Sequence, residues 1–194
     1  MLVARKSRPV PPVHLSNAAR LATMRSTSPL EVRAPNVLCT ARTVIRPLEW
    51  TDRAELRRVI LINREHLARH CPLHRDDESD EALFDRLLQM SQRGLETGRA
   101  WRAGVFDKNR RLLGLINLND IVRCIESRAE ANWWISIEWT GRGLATEALR
   151  AVIDHAFADL PGGLGLQRII ALIAPDNLAS RRVAARVGMR RAAR

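Results

Sequence analysis

The stretch WTGRGLATEALRAVIDHAF, residues 139–157, decides how the rest of the chain is read. Ala148, Leu149, Val152, Ile153 and Phe157 recur at the spacing of one helix face. Thr140, Gly141 and Gly143 stand just ahead of that face. The first turn of a helix leaves four backbone N–H groups unpaired. Glycines there let the backbone approach an anion closely. Successive N–H groups and the helix dipole then form a cradle for a phosphate or pyrophosphate. Arg142 adds a cation between the glycines. A plain turn and helix start would use the same residues, and spacing alone leaves both readings open. A P-loop is excluded, because Ala145-Thr146 stands where Lys-Ser or Lys-Thr is required. The dinucleotide fingerprint also fails on spacing.

Working outward, residues 146–160 read as the helix, ended by Pro161-Gly162-Gly163. Residues 168–174 make a buried-looking strand, and Pro175-Asp176-Asn177 leads into a last helix over 178–187, closed by Gly188. On the other side, NWWISIE at 132–138 is a strand rich in aromatic and branched residues. Residues 101–106 and 112–118 form a hairpin around a turn at 107–110. Residues 81–94 read as a helix carrying Leu83, Leu87, Leu88 and Met90, preceded by a polar loop at 71–80. Residues 50–67 read as another helix, capped by Thr51 or Asp52, with Leu56, Val59, Ile60, Asn63 and Leu67 on its inner stripe. Thr43-Val44-Ile45 is a strand stopped by Pro47. This order predicts an α+β fold with a mixed central sheet and helices on both faces, not a doubly wound domain.

The 194 residues suffice for one domain with a real core. Lys and Arg number 32 against 21 Asp and Glu, a formal net charge of +11. The excess sits at the ends: residues 47–180 hold 18 basic and 20 acidic residues. The body is therefore not a basic nucleic-acid platform. Residues 1–40 read as a disordered basic leader, with 41–194 as the folded domain. A short helix over 10–24 formed on contact, or an arm touching ribosomal RNA, stays open beside that reading. Cys39, Cys71 and Cys124 form no metal or disulfide pattern, so reduced cytoplasmic thiols are expected and no metal site is. No apolar run is long enough to span a bilayer, so no membrane partner is expected.

The chain resembles the GNAT superfamily of N-acetyltransferases, and within it the RimJ/RimL-like branch that acetylates the N-termini of ribosomal proteins. The resemblance runs over roughly residues 44–189 and rests on ordered stretches. Ile45-Arg46-Pro47-Leu48 resembles the opening strand, and Asn63-Arg64-Glu65-His66-Leu67 with Pro72 the first helix and its turn. Leu113-Gly114-Leu115-Ile116-Asn117-Leu118 resembles the hairpin return strand, extended by Asp120-Ile121-Val122-Arg123. Glu130-Ala131-Asn132-Trp133-Trp134-Ile135 resembles the central strand. Gly141-Arg142-Gly143-Leu144-Ala145-Thr146-Glu147-Ala148-Leu149 resembles the acetyl-CoA loop and helix. Pro175-Asp176-Asn177 with Ser180, Arg181, Val183, Gly188 and Met189 resembles the closing run.

The resemblance implies transfer of an acetyl group from acetyl-CoA to an amine, either a protein N-terminus such as that of a ribosomal protein or a small-molecule amine. A silent CoA-binding or protein-interaction module is the alternative of another class. It implies that the amides of Arg142, Gly143, Leu144, Ala145 and Thr146 hold the pyrophosphate. Ile135, Ile137, Asn177 and Ser180 would border the rest of the cofactor. Glu130 would accept the amine's proton and Ser180 stand near the leaving sulfur. Asn63, His66 and Trp133 would line the acceptor groove. From the residues alone, Glu130 reads equally as a surface carboxylate, Trp133 as core packing, Asn177 as a helix cap and His66 as an ordinary helix histidine. The acid cluster Asp76, Asp77, Glu78, Asp80 and Glu81 would attract a cationic acceptor, or face solvent as a loop and helix cap. The chain has no Tyr, so the tyrosine acid of many relatives has no counterpart. A homodimer and a ribosome contact are the further partners considered. Relatives continue after the position of Met189 with two more strands, whereas Arg190 to Arg194 remain here. The sheet is therefore expected to lack the last C-terminal strand or strands and to show an open edge there, and the enzyme's activity to be impaired by that truncation.

Overall fold

Asp107 begins the turn that seeds the sheet: its Oδ1 accepts hydrogen bonds from the amides of Asn109 (2.8 Å) and Arg111 (2.9 Å). Arg110 closes the turn at φ 65°. Strands β4 (Trp101–Asp107) and β5 (Leu112–Val122) leave it as an antiparallel pair. The structure, a computed structural model, describes residues 1–6, 36–123 and 125–192. Around the hairpin, in chain order, stand β1 (Leu2–Arg5), β2 (Leu38–Cys39), β3 (Thr43–Arg46), α1 (Arg53–Ala68), α2 (Asp80–Thr97), β6 (Arg128–Ile135), α3 (Leu144–Phe157), β7 (Arg168–Ala171), α4 (Leu178–Arg186) and β8 (Arg190–Arg191).

The strands form one mixed sheet in the order β2-β3-β4-β5-β6-β7-β1-β8. Every neighbouring pair is antiparallel except β6 and β7, which are parallel. Alternation along each strand sends apolar residues to two separate cores. On one face Leu56, Val59, Ile60 and Leu67 of α1 and Leu83, Phe84 and Leu88 of α2 pack on Phe106, Leu112, Leu115 and Trp134. On the other, Leu144, Ala148, Leu149, Val152, Ile153 and Ala156 of α3 pack on Val105, Leu113, Ile116, Ala131 and Ile169. Gly114 lets β6 lie tight against β5, for a Cβ there would lie 2.1 Å from the Trp134 carbonyl oxygen. The fold is thus the expected α+β arrangement of a mixed sheet between helices.

Several boundaries differ from the sequence reading. The central strand runs over Arg128–Ile135, not 132–138, because a bend at Ser136 and a 3-10 turn at Ile137–Trp139 replace its end. A 3-10 turn at Trp50–Asp52 precedes α1, and Asp52 does not cap α1 itself. Its carboxylate instead accepts the Glu49 amide (2.7 Å) and a two-pronged contact from Arg46 (2.8 Å each).

The largest departure lies beside β7. Leu2–Arg5, read as part of a disordered leader, is a strand whose four residues pair with all four of β7. The short C-terminal strand β8 pairs on the outer side of β1. The N-terminal strand covers β7, and the sheet then ends openly at the two-residue β8, short of the last C-terminal strands as expected. Leu38–Cys39, also assigned to the leader, pairs with β3. The leader's middle, including the helix considered over 10–24, and Cys124 lie outside the described residues. No helix among the described residues is long and apolar enough to cross a membrane. No group of three or more His, Cys, Asp or Glu among them is placed to hold a metal ion.

Candidate active site

Two backbone features meet at the C-terminal end of β6. The first is the start of α3. Gly141 and Gly143 both take φ 76°, a left-handed conformation that L side chains avoid. That geometry turns the chain into the helix with no side-chain cap. The amides of Arg142, Gly143, Leu144, Ala145 and Thr146 have no hydrogen-bond partner among the described residues; the Gly143 carbonyl first accepts from Glu147 (3.0 Å). A Cβ at Gly141 would meet nothing within 4 Å, so this face is open. Successive unpartnered amides at a helix start fit a pyrophosphate. The Arg142 side chain lies over Trp139 instead, 4.7 Å from the ring centroid.

The second feature is a fork. The parallel pair β6 and β7 shares only three register positions, ending at Glu130 opposite Ile170. Beyond it, Ala131 to Ile135 continue along β5 with no ladder partner on the β7 side. An extended chain of amides and methylenes, such as a pantetheine arm, fits such an edge. Buried Ile135 ends this free edge and exposed Ile137 follows it in the 3-10 turn. Past β7, Asn177 begins α4 and its side-chain oxygen accepts the Ser180 amide (3.0 Å). That is the cap role read from sequence; the Ser180 hydroxyl has no hydrogen bond among the described residues.

Glu130 is half-buried and lines a cavity of about 330 Å³ between α2 and strands β4 to β6. Asn117, Asn119, Asn132, Asp120 and Arg102 share its wall. The Asn117 amide donates to Asn132 Oδ1 (2.8 Å), while Arg102 Nε donates to Asn119 Oδ1 (2.8 Å) and its Nη1 to the Met90 carbonyl (2.8 Å). Burial holds the Arg102 guanidinium below its ordinary value. The wall therefore offers carboxylates, amides and one guanidinium to a polar acceptor. Sequence reading did not single out Arg102 or the asparagines, because their convergence depends on cross-strand register.

Three expected acceptor residues are elsewhere. Asn63 is fully buried with its capacity spent inside the protein. Its Nδ2 donates to the Val59 carbonyl (2.7 Å) and Ser136 Oγ (2.9 Å), and its Oδ1 accepts the Ile137 amide (2.7 Å). It clamps the bend after β6 to α1. His66, one turn on, is exposed. Trp133 points to the α3 side, opposite Glu130 and Trp134, and packs on that core. The acid cluster is largely paired: Glu78 contacts Arg86 (2.6 Å), Asp80 contacts Arg64 (3.1 Å) and His74 (2.9 Å), and Glu81 contacts Arg57 (3.6 Å). Asp80 and Glu81 thus tie α2 to α1, while Asp76 and Asp77 face solvent with no ion pair among the described residues. His155 is buried beside Trp101, and burial pushes its pKa down.

A contact missed by sequence reading braces the glycine turn. Arg42, in the turn before β3, reaches both Glu147 and the carbonyl of Arg142. The two partners lie 105 and 100 positions away, so no local pattern announces them.

The model of the family described as "Acetyltransferase (GNAT) domain" matches residues 42–190. The "Probable N-acetyltransferase YjcK" of Bacillus subtilis (strain 168) is 32% identical over 146 residues, covering 74% of this chain and 78% of that protein. The crystal structure of the ribosomal-protein-S5-alanine acetyltransferase of Vibrio fischeri superposes with a TM-score of 0.68 at 25% identity, covering 78% of this chain and 81% of that one. The fold is shared also by RimJ of Mycobacterium smegmatis, a complex with CoA-disulfide, with a TM-score of 0.67 at 24% identity over 75% of this chain and 69% of that one.

Proposed function

The chain belongs to the GNAT acetyltransferase family, and from that premise we propose that it moves the acetyl group of acetyl-CoA to the N-terminal amine of a protein in the cytoplasm. The carrying observation is the fork at Glu130, with five unpartnered amides at the α3 start. Acetyl-CoA, when bound, supplies the acetyl group as an activated thioester. The amides of Arg142 to Thr146 would hold its pyrophosphate, and the free edge of β6 its pantetheine arm. Ile135, Ile137 and Asn177 would flank that arm. The likeness to the ribosomal-protein-S5-alanine acetyltransferase of Vibrio fischeri supports a protein acceptor, as does the amide-rich wall of the cavity.

An amine attacks only when neutral, so its proton needs an acceptor. Glu130 takes it, directly or through one water, from an amine in the cavity. Asp120 and Glu130 favour entry of a cationic N-terminus, and the asparagine amides orient its peptide groups. Ser180 or solvent returns a proton to the thiolate, which is a good leaving group because thiols ionise near pH ~8.5.

Calorimetric titration with CoA and acetylation of peptides starting with Ala or Ser, run beside polyamine and aminoglycoside acceptors, test this reading. Saturable CoA binding with peptide acetylation is expected. A folded protein that binds no CoA would overturn it, and turnover of small amines alone would overturn the acceptor. Glu130→Gln should lower kcat about 100-fold with CoA affinity unchanged.

A further inference from the structure

We propose that Arg42 is the positioning residue that makes the α3 start usable by a pyrophosphate, by neutralising Glu147 and fixing the peptide plane between Arg142 and Gly143; this rests on the cofactor reading above. Glu147 lies in the first turn of α3. A carboxylate there satisfies a helix dipole by itself, but it opposes any other anion brought to the same end. Its charge is taken up from the side. Thr40 Oγ1 donates to Oε1 (2.6 Å), the Arg42 amide donates to Oε1 (2.9 Å), and Arg42 Nε donates to Oε2 (2.6 Å). Arg42 Nη2 is 2.6 Å from Oε2 as well. Burial opposes ionisation of Glu147, but these bonds outweigh it and hold the carboxyl below its ordinary range.

The same guanidinium works on the turn. Its Nη1 donates to the Arg142 carbonyl (2.9 Å), and Nη2 lies 3.7 Å from where a Cβ of Gly143 would stand. In a trans peptide the C=O and the following N–H point opposite ways. With the Arg142 carbonyl drawn to Arg42, the Gly143 N–H faces away from Arg42, toward the open side. One side chain therefore removes a competing charge and aims a donor. Lysine keeps the charge and lacks the planar fork that bridges both partners.

The test is calorimetric titration of CoA into the full-length protein and its R42A, E147Q and R42A/E147Q variants, with thermal melting of each. R42A should raise Kd about tenfold, and by only about threefold when introduced into E147Q, because the repulsion it uncovers is gone. The KM for acetyl-CoA should follow Kd while the KM for the acceptor peptide holds. R42K should fall between wild type and R42A, and it carries the test if R42A does not fold; an R42K variant equal to wild type would then overturn the proposal. R42A within twofold of wild type, or an equal effect with and without Glu147, also overturns it. A wild type that binds no CoA overturns the cofactor reading itself.

Discussion

Asn63 shows how one buried amide sets the geometry of the neighbouring site. Its three hydrogen bonds join α1 to Ser136 and Ile137, where the chain leaves β6 toward the glycine turn. Removing the amide leaves the fully buried Ser136 hydroxyl and the part-buried Ile137 N–H short of a partner. Asn63→Ala should therefore cost about 2–4 kcal/mol, seen as a lower urea midpoint at unchanged m. A loss under about 0.5 kcal/mol would place the residue on the surface class. The burial of Asn63 was legible: it falls on the stripe with Leu56, Val59, Ile60 and Leu67. What misled was the expectation of a groove on that face. The glycine turn was visible as a helix start, which is a local signal, whereas Glu130 entered only through the family resemblance, because the strand read from sequence began at residue 132 and left it outside. Arg42 with Glu147, and Arg102 with Asn119, were not, because each pair is made by register or packing between distant segments.

Helix α2 shows the same division among elements. Its start is capped by Ser79, whose Oγ accepts the Ala82 amide (3.2 Å), and its end turns at Gly98 with φ 64°. Both are residue types that mark helix ends, yet the sequence reading began one residue late and ended three early, because Gly94 looked like the stop. Gly94 is instead internal, and a Cβ there would lie 2.9 Å from Ala100 Cβ, so the helix needs it for close packing on β4's approach. Arg86 of α2 bonds both oxygens of Glu78, which stands just before the helix, drawing its carboxyl down to about 2. A carboxylate with a depressed folded pKa stabilises above its unfolded pKa, and that contribution is lost as pH falls toward the folded one. The melting-temperature advantage of wild type over Glu78→Gln should thus be full above pH ~5 and vanish by pH ~2. An advantage that persists at the acid end would mean that shape, not charge, holds the loop.

At the scale of the whole molecule, the two ends of the chain finish one sheet. β6 pairs with β7 over three positions, whereas β1 pairs with it over four. The strand that leads to Asn177 and α4 is therefore held from both sides, by the N-terminal residues as well as by the central strand. Four residues are too few for periodicity to announce a strand, and the partner lies more than 160 positions away, so LVAR read as leader. Its alternation is nonetheless that of a sheet: Ala4 is 6% exposed in the α3-side core while Arg5 faces solvent. Lys6 then leaves the sheet paired with Asp159 (2.6 Å). An Ala4→Asp change puts an unpaired carboxylate into that core and should cost about 3–5 kcal/mol, less whatever is recovered if β1 detaches. Arg5→Ser, on the outer face, should stay within about 0.5 kcal/mol. Hydrogen exchange at Arg168–Ala171 should speed up in Ala4→Asp and not in Arg5→Ser. Equal, negligible effects from both would mean that residues 2–5 do not hold the sheet. If the contrast appears, CoA affinity should fall with it in Ala4→Asp, because a loosened β7 frees one side of the fork that Glu130 closes.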